Sequence, residues 1–125
     1  MPRMPFLLLL ALATPAAQAH DPVASDGDKY RVVLENDRVR VLAYDDRPGE
    51  TTRRHVHPSM VVIAIEPFRR RIRLADGRTM ERAFRAGDVL YSAGETHVGE
   101  NVGTTPTRAI LVELKDGTTV RTGER

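Results

Sequence analysis

Apolar and polar residues alternate in short runs from Tyr30 to Lys115, and turn-forming residues break the runs at close intervals. Alternation with a period of two is the pattern of a strand with one buried face. The predicted strands are Tyr30–Leu34, Val39–Tyr44, the segment Thr51–Ser59, Met60–Glu66, Phe68–Leu74, Arg78–Phe84, Val89–Ser92, Thr96–Asn101 and Thr107–Lys115. Glu35-Asn36-Asp37, Pro48-Gly49, Ala86-Gly87-Asp88 and the loop Gly103–Pro106 separate them. Asp76-Gly77 between two alternating runs is a hairpin signal, because the tight turn needs positive φ. In Phe68–Leu74, Arg69, Arg71 and Arg73 share one face, read as solvated, while Phe68, Ile72 and Leu74 share the other with Arg70. No run of useful length beyond residue 20 has a helical period. About nine or ten short strands in one small domain predict an all-β fold, a closed barrel or a double-sheet jelly roll.

The two ends read differently. Residues 1–19 combine a short basic start, the apolar run Phe6–Ala13 and the small-residue site Ala17-Gln18-Ala19. That is the pattern of a secretory signal peptide, and the run is too short for a membrane span of roughly 20 residues. The expectation is a periplasmic or secreted protein that begins at His20 and has no membrane attachment after cleavage. Residues 20–29 are polar and are expected to be a flexible N-terminal segment, residues 30–115 the β domain, and residues 116–125 a polar tail.

Composition narrows the chemistry. The chain of 125 residues carries a formal net charge of +2 and no cysteine. Disulfides, thiolate metal sites and a cysteine nucleophile are therefore excluded. Aromatic residues make up 5% and are not interleaved with basic ones, so a base-stacking surface for nucleic acid is not expected. Nucleotide-binding and serine-hydrolase motifs are also missing from the sequence.

The candidate chemistry lies in the histidines. Of four, three fall in two short segments, His55-Val56-His57 and His97. Residues i and i+2 of a strand point to one face, so His55 and His57 aim two imidazoles the same way. Imidazole is the commonest side-chain metal ligand. The fourth, His20, would be the first residue after signal cleavage, where an α-amine and its own imidazole can chelate Cu(II); the bland reading is the start of a loose tail.

Around these residues the chain resembles the cupin superfamily. Gly49, five residues and then His55-Val56-His57 match the start of its first signature. Gly87 and Gly94-Glu95-Thr96-His97-Val98-Gly99-Glu100-Asn101 match much of its second, with Ala93 near the place of a proline. The resemblance covers Val32–Leu114 and implies a small cupin-like β-barrel of the double-stranded β-helix or jelly-roll type. It implies a divalent transition metal, Fe, Mn, Ni, Zn or Cu, held by His55, His57 and His97. The glutamate that usually ends the first signature is absent. The matching stretch is Ser59-Met60-Val61-Val62, and Glu66 lies roughly 30 Å further along an extended strand. Some cupin thiol and diketone dioxygenases use three histidines without that glutamate. Small stand-alone cupins often pair through edge strands, which implies a homodimer.

Strand parity adds candidate pocket residues. Thr51 and Arg53 share the parity of the histidine pair: either they line the cavity, where Arg53 would suit an anionic small molecule, or the strand geometry is disturbed before His55 and Arg53 is exposed. Val61, Ile63 and Ile65 would continue the same face as an apolar floor. Glu95 shares the parity of His97 and is the candidate fourth ligand or proton carrier. Tyr91 is a candidate hydroxyl near the site, and Asn101 is expected to hold a turn. Two functions stay open: a three-histidine metal centre that binds or converts a small molecule, dioxygenase-like if catalytic, and a non-catalytic binding or sensing module with a weak or vestigial metal site.

Overall fold

The computed structural model describes residues 20–115. The expected signal peptide, residues 1–19, and the polar tail, residues 116–125, lie outside them. A one-turn helix α1 (Pro22–Ser25) precedes nine strands: β1 (Tyr30–Glu35), β2 (Val39–Asp46), β3 (His55–His57), β4 (Met60–Ala64), β5 (Phe68–Leu74), β6 (Thr79–Phe84), β7 (Val89–Ser92), β8 (Glu95–Asn101) and β9 (Thr107–Leu114). Among the described residues no helix is long and apolar enough to cross a membrane.

The strands form two antiparallel sheets that face each other, a jelly-roll arrangement, and not one continuously paired barrel. One has the order β1-β2-β9-β4-β7 and the other β3-β8-β5-β6. The inward stripes explain the packing. In β2, Leu42 and Tyr44 lie opposite Leu111 and Ala109 of β9. With Tyr30, Met60, Ala64, Phe68 and Phe84 they make the buried core. Phe68 stacks on its register partner Phe84 at a centroid distance of 4.6 Å. Outward, Arg69 and Arg71 pair with Glu81 on the solvated face of the second sheet, as the alternation of β5 predicts. At the Asp76-Gly77 turn between β5 and β6, Gly77 takes φ +88°.

Three expectations are corrected. Residues 20–29 are not a loose leader. Asp21 caps α1 through Val23 N, Pro22 is buried, and the His20 carbonyl accepts a bond from Val56 N of β3 at 2.8 Å. The segment thus adds a short edge contact to the strand that carries the histidines. Second, the strand predicted over Thr51–Ser59 is regular only at His55–His57. Alternation does not carry through the irregular backbone before it, so Thr51 and Arg53 are exposed and Thr52 is the buried residue. Third, Pro58-Ser59 passes the chain from one sheet to the other and inverts the parity of β4. Met60, Val62 and Ala64 face inward in place of Val61, Ile63 and Ile65, and Ile65 is half exposed.

Candidate metal centre

Two short strands assemble the histidines. In β3, His55 and His57 point between the sheets. In β8, His97 lies opposite His55, and Glu95 lies opposite His57. Cross-strand neighbours on one face are about 5 Å apart at Cβ, so this register makes a two-by-two patch of three imidazoles and a carboxylate. Gly94 sets the start of β8. It has φ +101°, and a Cβ there would lie 3.0 Å from the Pro58 carbonyl carbon and 3.1 Å from the His57 oxygen. Only glycine fits so close to the turn that leaves β3.

All three rings are buried, at 0%, 2% and 7% exposure for His55, His57 and His97. Their centroids are 4.7 to 5.1 Å apart. One ring nitrogen from each lies within 4.8 Å of the others. Donors at 2.0 Å around a tetrahedral ion are roughly 3.3 Å apart, so a bound ion would draw the rings together.

What surrounds the rings decides which nitrogens are free. His55 Nδ1 is 2.9 Å from the Arg53 carbonyl and 3.5 Å from Asp26 Oδ2. His57 Nδ1 is 3.3 Å from Glu113 Oε2, and His97 Nδ1 is 2.7 Å from Glu95 Oε1. An oxygen acceptor at every Nδ1 places the ring proton there and leaves each Nε2 with a lone pair. This is the support that metal-binding imidazoles use elsewhere: it fixes the tautomer, sets ring orientation and raises basicity. The donor set therefore fits a divalent transition metal, and an acceptor oxygen on each outer nitrogen is the observation that says so.

Burial also disfavours the charged form of two of the rings, His55 and His97. It lowers the His55 pKa from its ordinary value to about 4, aided by the charges that His57 and His97 would carry. Burial lowers that of His97 as well, against the opposing bond to Glu95. The same bond holds the Glu95 carboxyl below its usual range. Glu95 is thus an ionised backing group on the outer nitrogen of His97, and its role as fourth ligand is not what this geometry supports.

The supporting carboxylates are held in turn. Glu113, 1% exposed, receives Arg40 at 2.7 Å; Arg40 is its register partner across β2 and β9. Arg40 also binds Asp21 at 2.5 Å. Asp26 accepts from Arg53 N at 3.0 and 3.2 Å and from Ser25 Oγ at 2.8 Å. Charges this deep are tolerated only when paired and hydrogen-bonded. The polar segment at the start of the domain thus backs two of the three histidines.

Beyond the rings opens a cavity of about 430 Å3, within the range of small-molecule sites. Met60, Val62, Phe68, Ile72, Leu90 and Leu111 give it a mainly apolar wall, with His57 and His97 at one end. Tyr91 lines it, half exposed. Thr51 and Arg53 do not. Arg70 is the inward charge in their place. Its guanidinium binds Asp46 at 2.6 Å, Thr107 Oγ1 at 3.1 Å and the Tyr44 hydroxyl at 3.1 Å, and it packs where Gly99 has no Cβ. Asn101 is structural. Its amide donates to Asp46 at 3.0 Å and to the Thr105 carbonyl at 2.9 Å, and its oxygen accepts from Gly103 N.

Sequence reasoning missed Tyr30, Asp26, Arg40, Thr52 and Glu113. Thr52 Oγ1 accepts from Gly99 N at 2.9 Å and ties the approach to β3 onto β8. Glu113 did leave a signal: it is in phase with the buried Thr107, Ala109 and Leu111 of β9, an acid on an apolar stripe.

No family model and no curated protein matches the sequence. Solved structures do resemble the fold. A cupin domain from Bordetella pertussis Tohama I superposes with a TM-score of 0.63 at 23% identity, over 69% of this chain and 91% of that one. A protein with a double-stranded β-helix domain from Klebsiella pneumoniae gives 0.58 at 23% identity, over 77% and 84%. The polyketide cyclase RemF from Streptomyces resistomycificus gives 0.52 at 22% identity, over 68% and 63%. Likeness at such identities speaks for architecture alone. Two facing antiparallel sheets, an inward histidine cluster and these neighbours agree: the chain has the cupin fold, a double-stranded β-helix.

Proposed function

We propose that this protein binds one divalent transition metal through His55, His57 and His97 and presents it to a small molecule in the cavity between the sheets. The observation that carries the reading is the oxygen acceptor on each Nδ1, which leaves the Nε2 lone pairs of three buried, clustered rings for an ion. When bound, the metal supplies Lewis acidity or, if redox-active, the electron transfer of dioxygenase-type chemistry. The chain's own groups bind and exclude water. The apolar wall fits a ligand with an apolar body, and its polar end would face His57 and His97.

A non-catalytic ligand-binding role stands as the second reading, and one feature favours it. The inward acid and the deep base beside the cavity are already engaged: Glu95 with His97, and Arg70 with Asp46. Among the described residues, neither Glu95 nor Arg70 is left free for acid–base work. An oxygen-uptake screen with thiols, diketones and phenolic acids on protein loaded with Fe(II), Mn(II), Ni(II) or Cu(II) separates the two, and absence of turnover favours binding alone.

The metal itself is tested by elemental analysis of wild-type and His57→Ala protein purified in parallel. The wild type is expected to hold about one equivalent and the variant less than a tenth of that, as for loss of one ligand of three. Equal content would remove the site. We also propose export, supported by the apolar run Phe6–Ala13 and the site Ala17-Gln18-Ala19. Intact mass of protein from the exported fraction is expected to begin at His20, and an unprocessed chain would overturn this.

A further inference from the structure

The cluster holds more lone pairs than protons. The Tyr30 hydroxyl lies 3.3 Å from His55 Nε2 and 3.5 Å from His57 Nε2. Both nitrogens are acceptors, because their Nδ1 atoms carry the ring protons. One hydroxyl proton can satisfy one of them at a time. The other nitrogen is then left unsatisfied, and so is His97 Nε2 unless something else reaches it. Among the described residues the hydroxyl has no further partner. Unsatisfied buried acceptors cost free energy, and the arrangement persists only where something else satisfies them.

We propose that Tyr30 is a metal ligand of this site, its hydroxyl oxygen acting as the fourth donor beside His55, His57 and His97. This rests on the metal reading above, and a small molecule would then have to meet the ion as a fifth donor. The distances match: the separations of 3.3 and 3.5 Å are those of donors on a tetrahedral ion, for which the edge is roughly 3.3 Å at bond lengths near 2.0 Å. The ring is also held for the purpose. It is 5% exposed and packs on Tyr44 at 4.6 Å, with His55 and His57 at 5.4 and 5.8 Å. Its backbone is pinned by Tyr30 N to the Asp26 carbonyl at 3.0 Å and by the pairing of Tyr30 with Tyr44. The stretch Ser59–Val62 supplies no carboxylate, and its Ser59 hydroxyl donates to the Ala93 carbonyl; the oxygen donor comes from the first strand of the domain. On ligation the O–H bond breaks, the metal–oxygen bond forms and the proton goes to the buffer. No electron changes hands.

The test uses the colour of iron(III)–phenolate charge transfer. The chain has three tyrosines, Tyr30, Tyr44 and Tyr91. Metal-free full-length protein titrated with Fe(III) is expected to develop a visible charge-transfer band. Tyr91→Phe and Tyr44→Phe are expected to keep it. Tyr30→Phe is expected to lose it, which loss of a merely supporting group would not do, and to bind Zn(II) on the order of 100-fold more weakly, the upper end of what loss of a supporting group brings. If Tyr30→Phe does not fold, retention of the band in the other two variants still assigns it to Tyr30. A colourless wild type that binds iron, or a band that survives in Tyr30→Phe, overturns the proposal and leaves the three-histidine site standing. A wild type that binds neither Fe(III) nor Zn(II) overturns both.

Discussion

Replacing Glu113 with glutamine is expected to weaken metal binding about 10- to 100-fold while the domain stays folded. Replacing it with alanine is expected to cost about 3–5 kcal/mol of stability as well. The two outcomes follow from the two oxygens of one carboxylate. Oε2 accepts a hydrogen bond from His57 Nδ1 at 3.3 Å, and Oε1 accepts from Arg40 at 2.7 Å. Glutamine keeps the shape and one acceptor oxygen but loses the charge, so the imidazole is a weaker base and Arg40 loses its deepest counter-ion. Alanine strips both partners and leaves a guanidinium, 20% exposed, leaning only on Asp21. Zinc titration by competition with a chelator reads the first effect, and urea unfolding of the metal-free protein reads the second. Wild-type affinity in the glutamine variant would show that Glu113 balances Arg40 and does nothing for the metal. The alanine variant then still loses stability, so the two roles can be told apart.

The limits of what the sequence reveals follow from where alternation holds. It holds in β5, β7 and β9, whose bounds match the chain's pattern to within a residue. It fails between Thr51 and Met60. There the backbone is irregular up to His55, three residues pair with β8, and Pro58-Ser59 crosses to the other sheet. Parity counted along that stretch put Thr51 and Arg53 in the pocket and chose the wrong face of β4. The histidines were found because their spacing of two lies inside the one regular piece, and because a second motif supplied His97. Their support was not found, since it comes from far away in sequence. Asp26 and Tyr30 stand some 25 to 29 residues before the rings they touch, and Glu113 stands 56 residues after His57. Single-chain pattern carries no information on such pairings unless a charge falls in phase with an apolar stripe. Glu113 does, and reading it as a buried acid in need of partners would have pointed at Arg40, its neighbour across the sheet.

The same geography gives the polar segment before β1 a function. Asp21 holds Arg40, which holds Glu113, which holds His57; Asp26 lies by His55; Tyr30 touches both rings. A segment with little hydrophobic content is held here by buried charge pairs, and those pairs lead to the outer nitrogens of two imidazoles. Residues that would be poor choices for stability alone, since an apolar replacement of a buried ion pair is often neutral or better, make sense as supports for a site. Metal binding should therefore be coupled to the docking of this segment, and both should respond to acid.

The metal-free protein is expected to lose stability as pH falls from about 6.5 to about 4, ahead of any carboxylate-driven unfolding. The sign follows from the direction of the shift. Burial lowers the His55 pKa to about 4, so between that value and its ordinary one near 6.5 the unfolded chain takes up a proton that the folded chain refuses. Stability rises with pH wherever the unfolded state binds more protons, so the contribution is complete above the ordinary value and is withdrawn as pH drops through the window. His97 is shifted in the same direction and adds to the slope. For His55 alone the loss amounts to about 3 kcal/mol at most, a fall in Tm on the order of 10 °C for a domain of this size. Denaturation at several pH values between 4 and 7 measures it. A His55→Gln variant should show a flatter profile, because its side chain does not titrate. Saturating Zn(II) should raise the neutral end and steepen the slope, since the ion competes with the same protons and binds only the folded form. A pH-independent Tm across that window would mean that His55 and His97 are not held neutral, and with that the argument for a ready-made metal centre fails.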